Sequence, residues 1–154
     1  MQMPTLTEPH RRLEVLIGSW RGEEQLQPSP WDPAGGAATG VVQNTLALDG
    51  FAVVQNYAQE RDGRVTFRGH GVFRWDPEAQ DYALHWFDSL GQDPVLFRGS
   101  FEGGVLTLSS RQAHGLTRAA FDLRQAGQYS YRMDVSPDGQ NWFPFMTGTY
   151  RRQA

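Results

Sequence analysis

Apolar residues recur along this chain with two different periods, and the change between them divides it. In 7–17, Leu13, Leu16 and Ile17 fall on one side of a helix. Thr7 can cap that helix, Pro9 suits its first turn and Gly18 ends it. Beyond Gly18 the apolar positions alternate, which is the period of a half-buried strand. Ten strands are predicted, over 18–26, 39–48, 51–60, 64–75, 82–89, 94–101, 105–110, 115–124, 128–135 and 141–151. Turn chemistry separates them at Asp49-Gly50, Asp62-Gly63, Asp76-Pro77, Gly91, Gly103-Gly104, Gly127 and Pro137-Asp138-Gly139. Most connections are short enough for hairpins, so the sheet is antiparallel and meandering. Such a meander has two bare edges unless its first and last strands pair, and closure removes them. The expected fold is all-β: a single antiparallel up-and-down barrel spanning 1–154, with the short helix plugging one end. The exception is 27–36, QPSPWDPAGG, which is either a lid over the mouth or a surface connection.

Turn lengths then fix the register, because a slip of one residue reverses every side chain. A two-residue turn at Asp49-Gly50 pairs Leu48 with Phe51, Leu46 with Val53, Asn44 with Gln55 and Val42 with Tyr57. A three-residue turn ending at Gly63 keeps Tyr57 and Phe67 on one face and sets Gln55 against Gly69. In the hairpin GHGVFRWDPEAQDYALHWFDS, Trp75 meets Tyr82, Phe73 meets Leu84, Gly71 meets Trp86 and Gly69 meets Asp88. Further on, Trp86 is set against Phe97, Asp88 against Val95, Phe121 against Tyr131 and Ala119 against Met133. Two interior layers are then apolar. A third holds Asn44, Gln55, Gly69 and Asp88. The last strand carries aromatics on both parities and is not oriented by this argument.

Composition narrows the function. A length of 154 residues suits one domain with a real core. Net charge is −3 and no basic run occurs, which argues against a nucleic-acid partner. The chain has no cysteine, so a disulfide frame, a thiolate metal site and a cysteine nucleophile are all excluded, as fits a cytoplasmic protein. No apolar run approaches the roughly 20 residues of a membrane span, and the N-terminal residues lack the order of a signal peptide. The four histidines show no ligand spacing, so no metal site is expected.

The order of motifs resembles the bacterial domain-of-unknown-function family 1579, a lipocalin-like barrel family. The matching pieces are LEVLIGSWRG from Leu13, Leu48-Asp49-Gly50, Gly71 through Asp76, HWFDSLG from His85, Gly99 with Leu106-Thr107-Leu108, and MTGTYRR from Met146. The resemblance implies a calycin-type barrel with a central cavity and supplies no established activity. It also implies that Trp20 closes the base against Arg151 or Arg152, as in the lipocalin entry motif, and marks Arg118 as a recurrent arginine.

The candidate site follows from the inward polar layer. Asn44, Gln55 and Asp88 would orient a polar group of an apolar ligand, or form an internal network satisfied by water. Tyr57, Trp86, Phe97, Tyr131 and Met133 would line the same cavity. Arg118 joins them only if a bulge near Gly115 turns it inward. No catalytic residue, metal or cofactor is assigned. The expected partner is a small apolar or amphipathic molecule, with no nucleic acid and no membrane. The alternatives are an isomerase or hydrolase using Asp88, a haem-binding barrel, and an accessory protein with a filled barrel whose outer face binds a partner, including a second copy as a homodimer.

Overall fold

The structure is a computed structural model that describes residues 1–30 and 32–154. Trp31, inside the loop considered as a lid, lies outside the described residues. The chain forms α1 (Glu8–Arg12), a 3-10 turn (Leu13–Leu16), and ten strands: β1 (Gly18–Leu26), β2 (Gly36–Ala47), β3 (Ala52–Arg61), β4 (Arg64–Asp76), β5 (Asp81–Asp88), β6 (Val95–Glu102), β7 (Val105–Gln112), β8 (Gly115–Asp122), β9 (Gln128–Ser136) and β10 (Phe143–Arg152). Every neighbouring pair is antiparallel, and β1 pairs with β10, so the meander closes into a barrel. Closure leaves no fully bare edge strand.

The helical segment plugs one end, called the base. Thr7 precedes α1, and its backbone N–H donates to His10 Nδ1 at 3.0 Å. Tyr82 donates its hydroxyl to the Pro9 carbonyl at 2.8 Å, and Arg12 lies 4.5 Å over the Phe101 ring. Trp20 Nε1 and Asn44 Nδ2 both donate to the Leu16 carbonyl, at 3.0 and 2.9 Å. These bonds satisfy a helix-end carbonyl that would otherwise be buried unpaired. Arg152 stacks 4.4 Å over the Trp20 ring, so the pairing that the entry motif implies is made by Arg152 rather than Arg151. Leu13 and Leu16 of the plug, and Val53, Phe73, Leu106 and Leu108 above it, are closed from solvent at 2% exposure or less.

Parity follows the sequence, but three details of register differ. Asp62 and Gly63 have φ of 52° and 75°, so the turn has two residues and Arg61 faces Arg64. The parity is restored instead by a bulge that skips Thr66, whose hydroxyl donates to the Gln59 carbonyl at 3.3 Å. Gln55 therefore meets Gly71, and Tyr57 meets Gly69. At β5–β6, Trp86 meets Val95 and Leu84 meets Phe97, so Trp86 with Phe97 and Asp88 with Val95 were each set two residues too far. The loop is longer than expected because Asp88 Oδ1 accepts from Leu90 N and the Asp88 carbonyl from Gly91 N, which ends the strand in a turn. At the base, the β2–β3 ladder stops at Ala47 and Ala52, with Leu48 and Asp49 at positive φ. Leu46 and Leu48 then lie outside the core, 46% and 71% exposed. In the last strand Met146, Gly148 and Tyr150 point inward.

Candidate functional site

The inward row of β1 alternates Trp20, Gly22, Glu24, Leu26, and so carries a carboxyl into the barrel. Glu24 is 2% exposed. It pairs with Gly148 on β10 and Ala38 on β2, small residues that leave room for its neighbours. Tyr57 donates to its carboxyl at 2.7 Å, Gln59 Nε2 donates to Oε1 at 3.0 Å, and the Tyr150 hydroxyl bonds Oε2. Gln59 also donates to the Tyr57 hydroxyl at 3.1 Å. Burial pushes Glu24 above the usual carboxylate range, partly offset by these donors and by Arg61. Burial beside Glu24 also pushes the Tyr57 and Tyr150 hydroxyls far upward, so both stay protonated and donate.

The barrel is filled below this cluster, and beside and above it Leu26, Ala38, Gln59 and Met146 also stay closed from solvent, at 8–9% exposure. Inward side chains of the lower half are almost free of solvent contact, whereas Tyr57, Phe67, Trp86, Val95, Tyr131 and Met133 point inward and remain half-buried. An apolar group of Leu26, Ala38 and Met146, with Met133 and Phe145 packed on it, flanks the cluster. At the mouth Arg61 grips Asp32 of the 27–36 loop through both carboxylate oxygens, at 3.1 and 2.5 Å. That ion pair ties the described part of the loop to β3.

Trp86 lies flat on the wall. A β-carbon at Gly69 would meet its ring at 2.2 Å, so only glycine leaves the bed it occupies. Its Nε1 donates to Asp88 Oδ2 at 3.0 Å, which fixes the ring plane. Asp88 is half-buried at the rim with one oxygen on Trp86 and the other on the Leu90 amide. It does not meet Asn44 and Gln55, because the β3–β4 register moves them one layer toward the base. Asn44, 1% exposed, serves the plug, and Gln55 is buried at 6%. Phe97 belongs to the packed lower core. Arg118 points outward: it lies 4.1 Å over Trp142 and 3.9 Å from Asp134, and no bulge interrupts the β7–β8 ladder between Val105 and Gln112.

Glu24, Gln59 and Tyr150 are missing from the sequence-derived site. The signal was present: Trp20 was taken as inward, and a period of two carries Gly22 and Glu24 to the same face. His70 bonds Asn56 and His85 bonds Arg74 on the outer wall, so neither is an inward axial ligand. No cluster of three metal-ligating side chains occurs among the described residues. Nor is any described helix long and apolar enough to cross a membrane.

Two open hollows mark the wall. The larger, about 560 Å³, is bordered by outward Glu23, Thr39 and Thr149, by Arg61, and by Glu24 and Ala38 of the inward rows. The smaller, about 390 Å³, lies where β6 and β7 part. Their ladder ends at Arg98 and Ser109, although β5–β6 continues to Val95 and β7–β8 to Gln112. Inward Val95 and Ser110 and outward Leu96 and Arg111 all border this gap, so it crosses the wall near the mouth.

A closed ten-stranded antiparallel barrel with a helical plug and a polar cluster in its upper half is a lipocalin-like barrel. The chain belongs to the DUF1579 family, described as a protein of unknown function, which it matches over residues 5–152. Its fold is similar to the crystal structure of Rv2717c from M. tuberculosis, at 17% identity and a TM-score of 0.66, over 97% of this chain and 100% of that one. It is also similar to the S-type phycobiliprotein lyase CPES from Guillardia theta, at 12% identity and a TM-score of 0.60, over 98% and 99% of the two chains. At these identities the likeness shows the fold alone. No curated protein matches the chain.

Proposed function

We propose that this protein binds a small, mostly apolar molecule in the upper half of its barrel. The observation that carries this reading is the group of inward aromatic and methionine side chains toward the mouth, Tyr57, Phe67, Trp86, Tyr131 and Met133, which stay partly exposed while Phe73, Leu106 and Leu108 near the plug are sealed. Aromatic and methionine side chains supply apolar contact area there, and the Glu24 cluster supplies a few convergent polar groups, the usual make-up of a ligand site. Trp86, held flat by Asp88, offers the ligand a broad rigid face.

An isomerase or hydrolase centred on Asp88 is less well supported. Both of its oxygens are engaged by the local turn and the indole, leaving it the role of orienting Trp86. Native mass spectrometry of protein purified from cells, followed by titration of the emptied barrel with an environment-sensitive apolar fluorophore, tests the binding reading. A retained mass or saturable fluorophore binding that weakens in Trp86→Ala is expected. Absence of both would refute the reading.

A further inference from the structure

Glu24 is a buried acid without a matching cation. Its carboxyl offers about four acceptor positions: Gln59 takes one on Oε1, Tyr150 takes one on Oε2, and the single Tyr57 hydroxyl proton is shared between the two oxygens, at 2.8 and 2.7 Å. Those donors are two phenols and an amide, none of which carries positive charge. Among the described residues no arginine, lysine or histidine nitrogen makes an ion pair with it. Arg61 acts on it from a distance, but both Asp32 oxygens already hold that guanidinium. A buried carboxyl in this position either keeps its proton or waits for a positive partner. The upper half of the barrel therefore holds a buried acid that no cation among the described residues is paired to. An anionic ligand head would meet a second acid, offset only by the unpaired Nε of the Arg61 guanidinium that Asp32 already neutralises, and an alcohol would bring no charge to balance the site.

Building on the binding reading above, we infer that the molecule held in this barrel carries a basic nitrogen, an amine or similar cation, which pairs with Glu24 while its apolar body lies against Trp86, Tyr131 and Met133. The ammonium N–H takes the acceptor position that is freed when the one Tyr57 proton settles on a single oxygen, and Tyr150 and Gln59 hold the carboxylate in place to receive it. The ammonium adds the attraction of an opposite charge to its hydrogen bond, which the O–H···O⁻ bond of an alcohol lacks.

Three probes of equal chain length test this: dodecylamine, dodecanol and dodecanoic acid. Each is titrated below its micelle threshold by fluorophore displacement at about pH 8, where the amine is charged and the acid ionised. The amine should bind about tenfold or more tighter than the alcohol, and the acid weakest of the three. In Glu24→Gln the amine's advantage over the alcohol should shrink to about threefold or less, and an advantage kept at about tenfold would overturn the pairing. Should that variant fail to fold, the rank order in the unmodified protein decides by itself. Alcohol or acid binding as tightly as the amine overturns the amine inference and leaves the binding reading standing. Failure of all three to displace a bound fluorophore overturns the amine inference, whereas the binding reading falls only if neither a retained mass nor fluorophore binding is found.

Discussion

Gly40 and Glu24 sit on adjacent strands so close that a β-carbon on Gly40 would lie 2.3 Å from Glu24 Oε2 and 2.6 Å from the Tyr150 ring. The acid owes its place to a missing side chain across the ladder. Gly40→Ala should therefore displace the carboxyl and the phenol together, at a cost of about 1–3 kcal/mol for overpacking. Urea unfolding measures the loss, and a circular dichroism spectrum unchanged from the parent's separates it from a failure to fold. A variant as stable as the parent would show that the cluster is looser than its geometry.

The same acid sets a pH dependence. Burial holds Glu24 above the usual carboxylate range when folded, while the unfolded chain ionises it normally. Between those two values the folded state binds more protons than the unfolded one. Its contribution is full in acid and declines as pH rises through the folded value. Glu24→Gln should remove that decline. Unfolding free energies for parent and variant, measured from about pH 5 to about pH 8, should move apart in the direction that favours the variant at the upper end. A constant difference across that span would contradict the assignment.

Asp88 is expected to act through Trp86. Asp88→Asn keeps the size of the side chain and weakens a bond to the indole, so stability should fall by only about 0.5–1.5 kcal/mol. Trp86 emission should change in quenching by iodide, since the ring loses its fixed plane. The effect on an apolar fluorophore should be small and track the ring, not a lost charge. Complete loss of binding in Asp88→Asn would return this carboxylate to the site itself.

The gap between β6 and β7 predicts uneven exchange. In 95–97 and 110–112, amides that point toward the gap have no ladder partner there, whereas those of 98–102 and 105–109 do. Hydrogen exchange should be distinctly faster in the first group. Equal protection along both strands would mean that the ladder zips to the mouth in solution.

The barrel was legible because each level of the sequence agrees with the next. Alternation named the strands, glycine turns named the hairpins, and turn parity put Phe73, Asn44 and Gln55 inside, where they lie at 0%, 1% and 6% exposure. Depth along the axis was less legible. A bulge and a two-residue turn give the same parity as a three-residue turn, so Thr66 shifted the layers by two without reversing a face. That shift separated Asp88 from Asn44 and Gln55. Glu24 escaped for a different reason: a glutamate between Gly22 and Leu26 looks like an outward charge until Trp20 is used to phase the strand. The phenols that make its burial tolerable come from β3 and β10, far away in sequence.

The seam between β1 and β10 also governs how the chain reaches its fold. Trp20 lies opposite Arg152, and Leu26 opposite Met146, so the first strand to emerge from a ribosome waits for the last. Until then the sheet has two raw margins and Glu24 lacks Tyr150, its partner from the final strand. Contacts between such distant parts of a chain form slowly, because the entropy of the intervening loop is lost before they repay it. Without β10 the other nine strands form an open ribbon rather than a barrel. The step that seals it also buries its acid.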